Sequence, residues 1–187
     1  MRAFLASLVL LAGCLLPDPP PSPRYFMPVG ADADGPRTPV AVRMGFVRSP
    51  VYLREAITWR RSDVEYGFYE QRRWTELPST YVERALAREL FAGDEPIATG
   101  PNAPLVSAEL RAFEEVLSPV HEARVALAVE LTDGACVRLR RTFAATRPLE
   151  GNDPGAVAHG IGEALDEVVA ATGVAVRSAL TARRCGR

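Results

Sequence analysis

Lysine is absent from this sequence of 187 residues, and all 22 of its basic residues are arginines. Because alanine is also abundant, we attribute this bias to a GC-rich genome rather than to a functional demand. The formal net charge is only -1. Proteins that bind nucleic acids normally carry a basic surface, so this charge balance argues against a nucleic-acid partner.

Catalytic and metal-binding motifs are also missing. The chain has two histidines and no Gly-x-Ser-x-Gly, Walker or His-Glu-x-x-His motif. His159 and Glu163 lie one helical turn apart but lack a third metal ligand. Glu114 and Glu115 are neighbours in a predicted strand, where side chains alternate between faces, so we expect no acid–base pair there. We therefore predict no catalytic residue, no metal site and no cofactor, and hence no enzyme.

Long apolar segments are confined to the amino terminus, since nothing after Leu16 is apolar for long enough to span a membrane. The apolar run from Ala3 to Leu11 follows a single Arg2 and is too short for a transmembrane helix, which is typical of a secretory signal peptide. The run leads into Leu11-Ala12-Gly13-Cys14, which resembles the lipobox of bacterial lipoproteins. The resemblance implies that Cys14 becomes the lipidated first residue of the mature protein.

Lipidation at Cys14 would hold the protein at a membrane, because one acyl chain binds a bilayer only marginally whereas two or more anchor it stably. Leu15, not an aspartate, follows Cys14, and this pattern resembles that of lipoproteins retained in the outer membrane. The proline-rich residues 17–23 predict a stiff tether of roughly 20 Å. The predicted organisation is a signal peptide over 1–13, a lipidated cysteine and tether over 14–23, and one folded domain over 24–187.

Two further cysteines, Cys136 and Cys185, would then lie in an oxidising periplasm, where a disulfide can form. The sequence does not fix the distance between them. The sequence is therefore compatible both with a disulfide between these cysteines and with two free thiols.

Alternating apolar residues predict a sheet. Strands are expected over 24–29 and 107–117, and residues 57–68 form a predicted hairpin. A further strand is expected over 40–47, with one buried side made of Val40, Val42, Met44 and Phe46.

The clearest hairpin spans residues 124–144 and turns at Asp133-Gly134. Its second strand is expected to direct Val137, Leu139 and Phe143 into the core, and Arg138 and Arg140 into solvent.

Two helices complete the predicted fold. Thr80 and Glu83 form a capping box for the first helix, which is expected to end at Gly93. Asp153-Pro154 starts the second helix, in which Gly160 and Gly162 are expected to allow close packing on the sheet. The predicted fold class is α+β, with a largely antiparallel sheet and both helices packed on one face.

Short motifs follow one another between the second strand and the first helix. Pro50, Tyr52, Leu53 and Arg54 match a Pro-x-Tyr-Leu-(Asp)-Arg turn, and Arg60 matches an arginine that ends a strand. Trp74 and Glu76 match a Trp-x-Glu-Pro-Leu motif, with Leu77-Pro78 in inverted order. This order after a lipobox resembles the ABC-type transport auxiliary lipoprotein family, of the PqiC/YmbA type. Residues 55–56 lack the glutamine that many members carry, and the chain continues past Gly173.

The resemblance implies a non-enzymatic component of an MCE-type lipid transport system. Its partners would be a periplasmic MCE-domain protein and the inner-membrane permease and ATPase, with the periplasmic conduit docked at the outer membrane. A homo-oligomer would suit such docking. Five motif residues are candidates for the docking surface, since aromatic residues and arginine often anchor interfaces: Tyr52, Arg54, Arg60, Trp74 and Glu76.

A structural role is the alternative for the same motif residues. Tyr52 and Trp74 would then fill the core, and Arg54, Arg60 and Glu76 would form ion pairs. Two other functions also stay open. One is a periplasmic lipoprotein that regulates cell-wall synthesis or envelope assembly, and the other is an envelope hydrolase that uses His121 and His159.

Overall fold

A computed structural model describes residues 21–30, 38–92, 99–151 and 153–182. The predicted signal peptide, Cys14, most of the tether, Gly93 and Cys185 lie outside these residues. No helix in the described part of the chain combines the length and apolar character that crossing a bilayer requires.

Seven strands form one mixed sheet. They are β1 (Arg24–Phe26), β2 (Arg43–Arg48), β3 (Ala56–Arg60), β4 (Tyr66–Trp74), β5 (Leu105–Val116), β6 (Glu122–Asp133) and β7 (Cys136–Pro148). Their order in the sheet is β1-β4-β3-β5-β6-β7, and β2 pairs with β5 beside this path. The pairs β3–β4, β5–β6 and β6–β7 are antiparallel, whereas β1–β4, β2–β5 and β3–β5 are parallel. Antiparallel pairing dominates because the three longest strands pair in this way, which confirms the predicted sheet.

Two helices, α1 (Pro78–Phe91) and α2 (Pro154–Thr181), cover one face of this sheet. Helix α1 packs against β2 and β5, α2 packs against β6 and β7, and the helices contact each other. The space between the layers holds one hydrophobic core, and its largest buried side chains include Trp74, Phe113, Leu86, Leu127 and Ile161. The predicted α+β fold with two helices on one face is therefore confirmed.

One edge of β5 is shared by two strands. Strand β2 pairs with residues 105–109, and β3 pairs with residues 114–116. The loop 49–55 joins β2 to β3 beside the gap, where the register of β5 against β6 shifts between Leu110 and Ala112. The sequence motif that begins at Pro50 thus lies at the middle of the sheet.

The predicted capping box at the start of α1 is wrong. The helix begins at Pro78, and Leu77 caps it without a side-chain hydrogen bond. Proline suits the first helical position because its missing N–H would have no partner there. Glu83 is therefore free to accept a hydrogen bond from the Val47 amide at 2.9 Å, which joins α1 to β2. The helix ends at Phe91, before the predicted stop.

The predicted placement of Phe46 on the buried side of β2 is also wrong, since the side chain is 90% exposed. The register of β2 against β5 shifts between Met44 and Val47. Such a bulge interrupts the alternation of side chains between the two faces. Val47 takes the buried position instead, and Phe46 points into solvent.

The predicted side-chain directions at the start of β7 are wrong, because the register of β6 against β7 shifts between Leu131 and Thr132. Val137 is exposed rather than buried. The Arg138 side chain is only 7% exposed and pairs with Asp133 at 3.2 Å. Its guanidinium also donates to the Leu180 and Ala182 carbonyl oxygens, at 3.2 and 2.9 Å. Arg138 thus caps the end of α2 instead of facing solvent.

The glycines of α2 allow two different close approaches. Asp153 caps the helix as predicted, and its carboxylate accepts a hydrogen bond from the Gly155 amide at 3.1 Å. Gly160 packs against Ala123 of β6, which confirms the expected contact with the sheet. Gly162 instead faces the backbone of Val29, in the segment that follows β1.

Replacing Gly162 with alanine should destabilise the protein, because the added Cβ would overlap the carbonyl group of Val29. Alanine gains about 1 kcal/mol of helix propensity over glycine, but overpacking against rigid backbone costs about 1–3 kcal/mol or more. We expect a net loss of unfolding free energy in urea denaturation. The exposed Ser178→Ala variant on the same helix is the control, and a gain in stability for Gly162→Ala would contradict the contact.

Candidate docking site

The two motif segments of the sequence lie side by side. The Trp74 amide donates a hydrogen bond to the Glu55 carbonyl oxygen at 2.6 Å, which joins the loop 49–55 to the turn before α1. A cleft of about 570 Å³ lies between the two segments, and we call it the motif cleft. Its lining includes Pro50, Val51, Arg54, Arg73, Leu77 and Ser79.

The rim of the motif cleft combines apolar and cationic groups. Val51 and Leu77 are both exposed aliphatic side chains. Arg54 is exposed, and its Nε donates a hydrogen bond to the Val51 carbonyl oxygen at 2.9 Å. These groups suit contact with another protein, where apolar anchors and arginine are favoured.

Arg60 has a structural role, since its partner lies in the interior of the fold. Its guanidinium makes a bidentate ion pair with Glu114, with Nε to Oε1 at 2.7 Å and Nη2 to Oε2 at 3.2 Å. Glu114 is 1% exposed, so its charge is removed from water. The hydrogen bond to Glu114 raises the pKa of Arg60, which keeps the guanidinium charged. Burial of a carboxylate is tolerated only with such a partner.

Tyr52 lies beside this ion pair, on the face of the sheet opposite the helices. Its ring lies 5.1 Å from that of Tyr66, and its hydroxyl donates to the Arg111 carbonyl oxygen at 3.2 Å. Burial raises the pKa of Tyr52, and the negative charge of Glu114 adds to this effect. Because Arg111 lies where the β5–β6 register shifts, Tyr52 satisfies a carbonyl group at that irregularity.

Trp74 and Glu76 differ in exposure, since Trp74 is buried whereas the Glu76 side chain is 38% exposed. Trp74 is 1% exposed and packs edge-on against Phe113, with ring centroids 5.4 Å apart, so its burial excludes direct contact with a partner. Glu76 pairs with Arg84 of α1 at 2.7 Å. The ion pairs anticipated among Arg54, Arg60 and Glu76 do not form, since each of these side chains has a different partner.

Glu115 is a second buried carboxylate, which was considered from the sequence only as part of an acid–base pair with Glu114. It pairs with His121 Nε2 at 2.7 Å. Burial, and after it the hydrogen bond with Glu115, raises the pKa of Tyr69 to about 12. Glu114 and Glu115 therefore have separate partners and do not form an acid–base pair. The signal for both was available in the sequence, as two adjacent charges inside the apolar strand β5.

The remaining candidate residues from the sequence do not come together in one site. His159 is exposed, and Glu163 pairs with Arg147 of β7 at 3.4 Å. Within the described ranges, no three histidine, cysteine, aspartate or glutamate side chains cluster as metal ligands would. Cys136 is disulfide-bonded at the start of β7, and Cys185 lies outside the described residues.

Residues 27–172 match the family model described as the ABC-type transport auxiliary lipoprotein component. The chain belongs to this family. The family name implies association with an ABC transport system, and its lipoprotein character implies a membrane-associated periplasmic location. No curated protein matches the sequence significantly.

Solved structures share the fold of this family member. Protein XCC0632 from Xanthomonas campestris has a TM-score of 0.68 at 18% identity, and the match covers 86% of this chain and all of that one (100%). The hypothetical protein CT253 from Chlamydia trachomatis has a TM-score of 0.54 at 12% identity, over 78% of this chain and 100% of that one. At these identities the likeness extends to the fold alone.

The Arg60→Ala variant should lose about 3 kcal/mol of unfolding free energy, because it leaves the buried Glu114 carboxylate without its cation. The matched control is Arg54→Ala, which removes an exposed arginine from the same motif and should change stability by no more than about 0.5 kcal/mol. Equilibrium denaturation of both variants measures the difference. Equal effects of the two substitutions would contradict the structural role of Arg60.

Proposed function

We propose that this protein is a lipid-anchored adaptor that docks the periplasmic conduit of an MCE-type lipid transport system at the outer membrane. The observation that carries the proposal is the match to the transport auxiliary lipoprotein family, downstream of a segment that resembles a lipobox. The adaptor acts by binding and not by catalysis. The two buried carboxylates support this, because Glu114 and Glu115 are each held by a basic partner within the fold.

Anchoring in the proposal depends on Cys14. Two or more acyl chains on this residue give stable attachment to a bilayer. The first strand of the sheet begins at Arg24, so the proline-rich tether holds the domain within roughly 20 Å of the lipid. A short and stiff tether suits an adaptor because it limits the distance between the membrane and the docked partner.

The proposed partners are an MCE-domain protein of the periplasm and, through it, the inner-membrane permease and ATPase. In this proposal the motif cleft offers Arg54, Val51 and Leu77 to the partner. Tyr52 and Arg60 act indirectly, because they fix the loop that carries Arg54.

Gentle solubilisation of native envelopes tests the proposal. We expect the acylated wild-type protein in the outer-membrane fraction, and we expect it to co-purify with an MCE-domain protein. The Cys14→Ser variant should lose both the acyl chains and the outer-membrane location. Ser22→Ala, in the same tether, is the matched control and should behave as wild type.

Two outcomes would contradict the proposal. Co-purification with cell-wall synthases in place of MCE components would favour a regulator of cell-wall synthesis. An unacylated wild-type protein, free of any membrane, would remove the anchor on which the adaptor depends.

We also propose that Cys185 is the disulfide partner of Cys136. Arg138 holds the Ala182 carbonyl oxygen at 2.9 Å, so the helix end three residues before Cys185 lies beside the start of β7. Acylation would occupy the thiol of Cys14, which leaves Cys185 as the remaining cysteine.

Peptide mapping of the native protein without reductant should therefore show Cys136 and Cys185 in one linked peptide pair, because both thiols lie in an oxidising compartment. Reduction should separate the pair and serves as the control. Alkylation of Cys185 in the folded, unreduced protein would contradict the pairing.

A further inference from the structure

The face of the sheet that the helices leave open carries a broad groove of about 790 Å³ across β2, β5, β6 and β7. We call it the arginine groove. Its floor contains small side chains, among them Ser107, Ala128 and Thr142. Its edges are formed by Phe46, Arg48, Glu109, Arg111, Glu130 and Arg140.

Phe46 is the apolar anchor of this groove. The register shift in β2 turns it away from the core, and it is the most exposed aromatic side chain of the described residues. Bulges often re-aim a side chain next to a functional site. A large aromatic side chain at the edge of a groove of small residues is a typical interface anchor.

The arginines of the groove are only partly neutralised by glutamates of the same chain. Glu109 is shared by two arginines, Arg48 at 3.8 Å and Arg111 at 3.3 Å, and Glu130 pairs with Arg140 at 2.6 Å. All three of these arginines are largely exposed, so their pairs contribute little to stability and their guanidinium groups are accessible.

Positive charge is in excess in the arginine groove, although the chain as a whole has a formal net charge of -1. The lining of the groove contains four arginines and two glutamates. They are Arg48, Arg111, Arg140 and Arg141 against Glu109 and Glu130. Charge complementarity therefore selects an acidic occupant.

We infer that the arginine groove binds an acidic segment of a partner protein, with an apolar residue of that segment packed on Phe46. The inference rests on the proposed adaptor function in one respect, which is that the partner then belongs to the periplasmic conduit. Carboxylates suit this site because arginine pairs with them in a bidentate manner. The groove is open and half polar, whereas an acyl chain requires an enclosed apolar pocket.

Photo-crosslinking in native envelopes tests the inference with the full lipidated chain. A benzophenone amino acid replaces Phe46, and the same group at Val174, an exposed position of α2 on the opposite layer, is the control. Mass spectrometry of the adduct identifies the crosslinked peptide. We expect a protein segment rich in aspartate and glutamate at position 46 and none at position 174.

Charge reversal adds a second readout. Arg48→Glu and Arg140→Glu should each lower the yield of the position-46 adduct about tenfold, because each places like charges in contact. The matched control is Arg88→Glu, which reverses an exposed arginine in the last turn of α1 and should leave the yield unchanged.

The outcomes separate this inference from the adaptor proposal. An adduct to an acidic segment of a protein outside any transport system supports the groove and contradicts the adaptor. Co-purification of an MCE-domain protein without an adduct at position 46 supports the adaptor and overturns the groove. An adduct to lipid alone, to a second copy of this chain alone, or to a segment without acidic residues also overturns the groove.

Discussion

Glu114 carries a charge in the middle of the sheet, and the guanidinium of Arg60 makes that position tolerable. A carboxylate removed from water costs several kcal/mol unless a cation and hydrogen bonds compensate it. Arg60 compensates it only if β3 lies in register beside β5, because the two side chains project from neighbouring strands. The ion pair thus specifies where β3 pairs on the shared edge of β5.

The same ion pair also connects the residues of the sequence motif into one structural unit. Tyr52 covers the ion pair and satisfies the Arg111 carbonyl where the β5–β6 register shifts. Trp74 fills the core behind the same strands, and its amide holds the loop through Glu55. Residues spread over 25 positions of sequence (50–74) therefore converge where β2 and β3 pair with β5 and β4 pairs with β3. Exposed groups in the motif cleft and in the arginine groove remain accessible to a partner.

Several features encoded by neighbouring residues were predictable from the sequence, although the capping box at Thr80 and Glu83 was not one of them. The turn at Asp133-Gly134, the cap at Asp153 and the order of strands and helices depend on local patterns, and the structure contains all three. The parallel pairing of β2 and β3 on one edge of β5 depends on contacts between distant segments, which periodicity does not encode. The bulge that exposes Phe46 was also not predicted, because a shift of one residue reverses which face a side chain occupies.

The candidate site was predicted only in part for the same reason. The motif identified the right segments, but it did not distinguish Arg60, which pairs with a buried carboxylate, from Arg54, which stays exposed. That distinction depends on Glu114, which is 54 residues away from Arg60 in the sequence. The arginine groove has no sequence signature, since its members come from four separate strands.

Amide hydrogen exchange of the Arg60→Gln variant tests the central claim most directly, because it reports which segments open when the buried carboxylate loses its cation. If the ion pair holds the shared edge of β5 together, exchange should accelerate in residues 49–60 and 111–116 and stay unchanged in the β6–β7 hairpin. Unchanged exchange in residues 49–60, or a uniform acceleration over the whole domain, would contradict it.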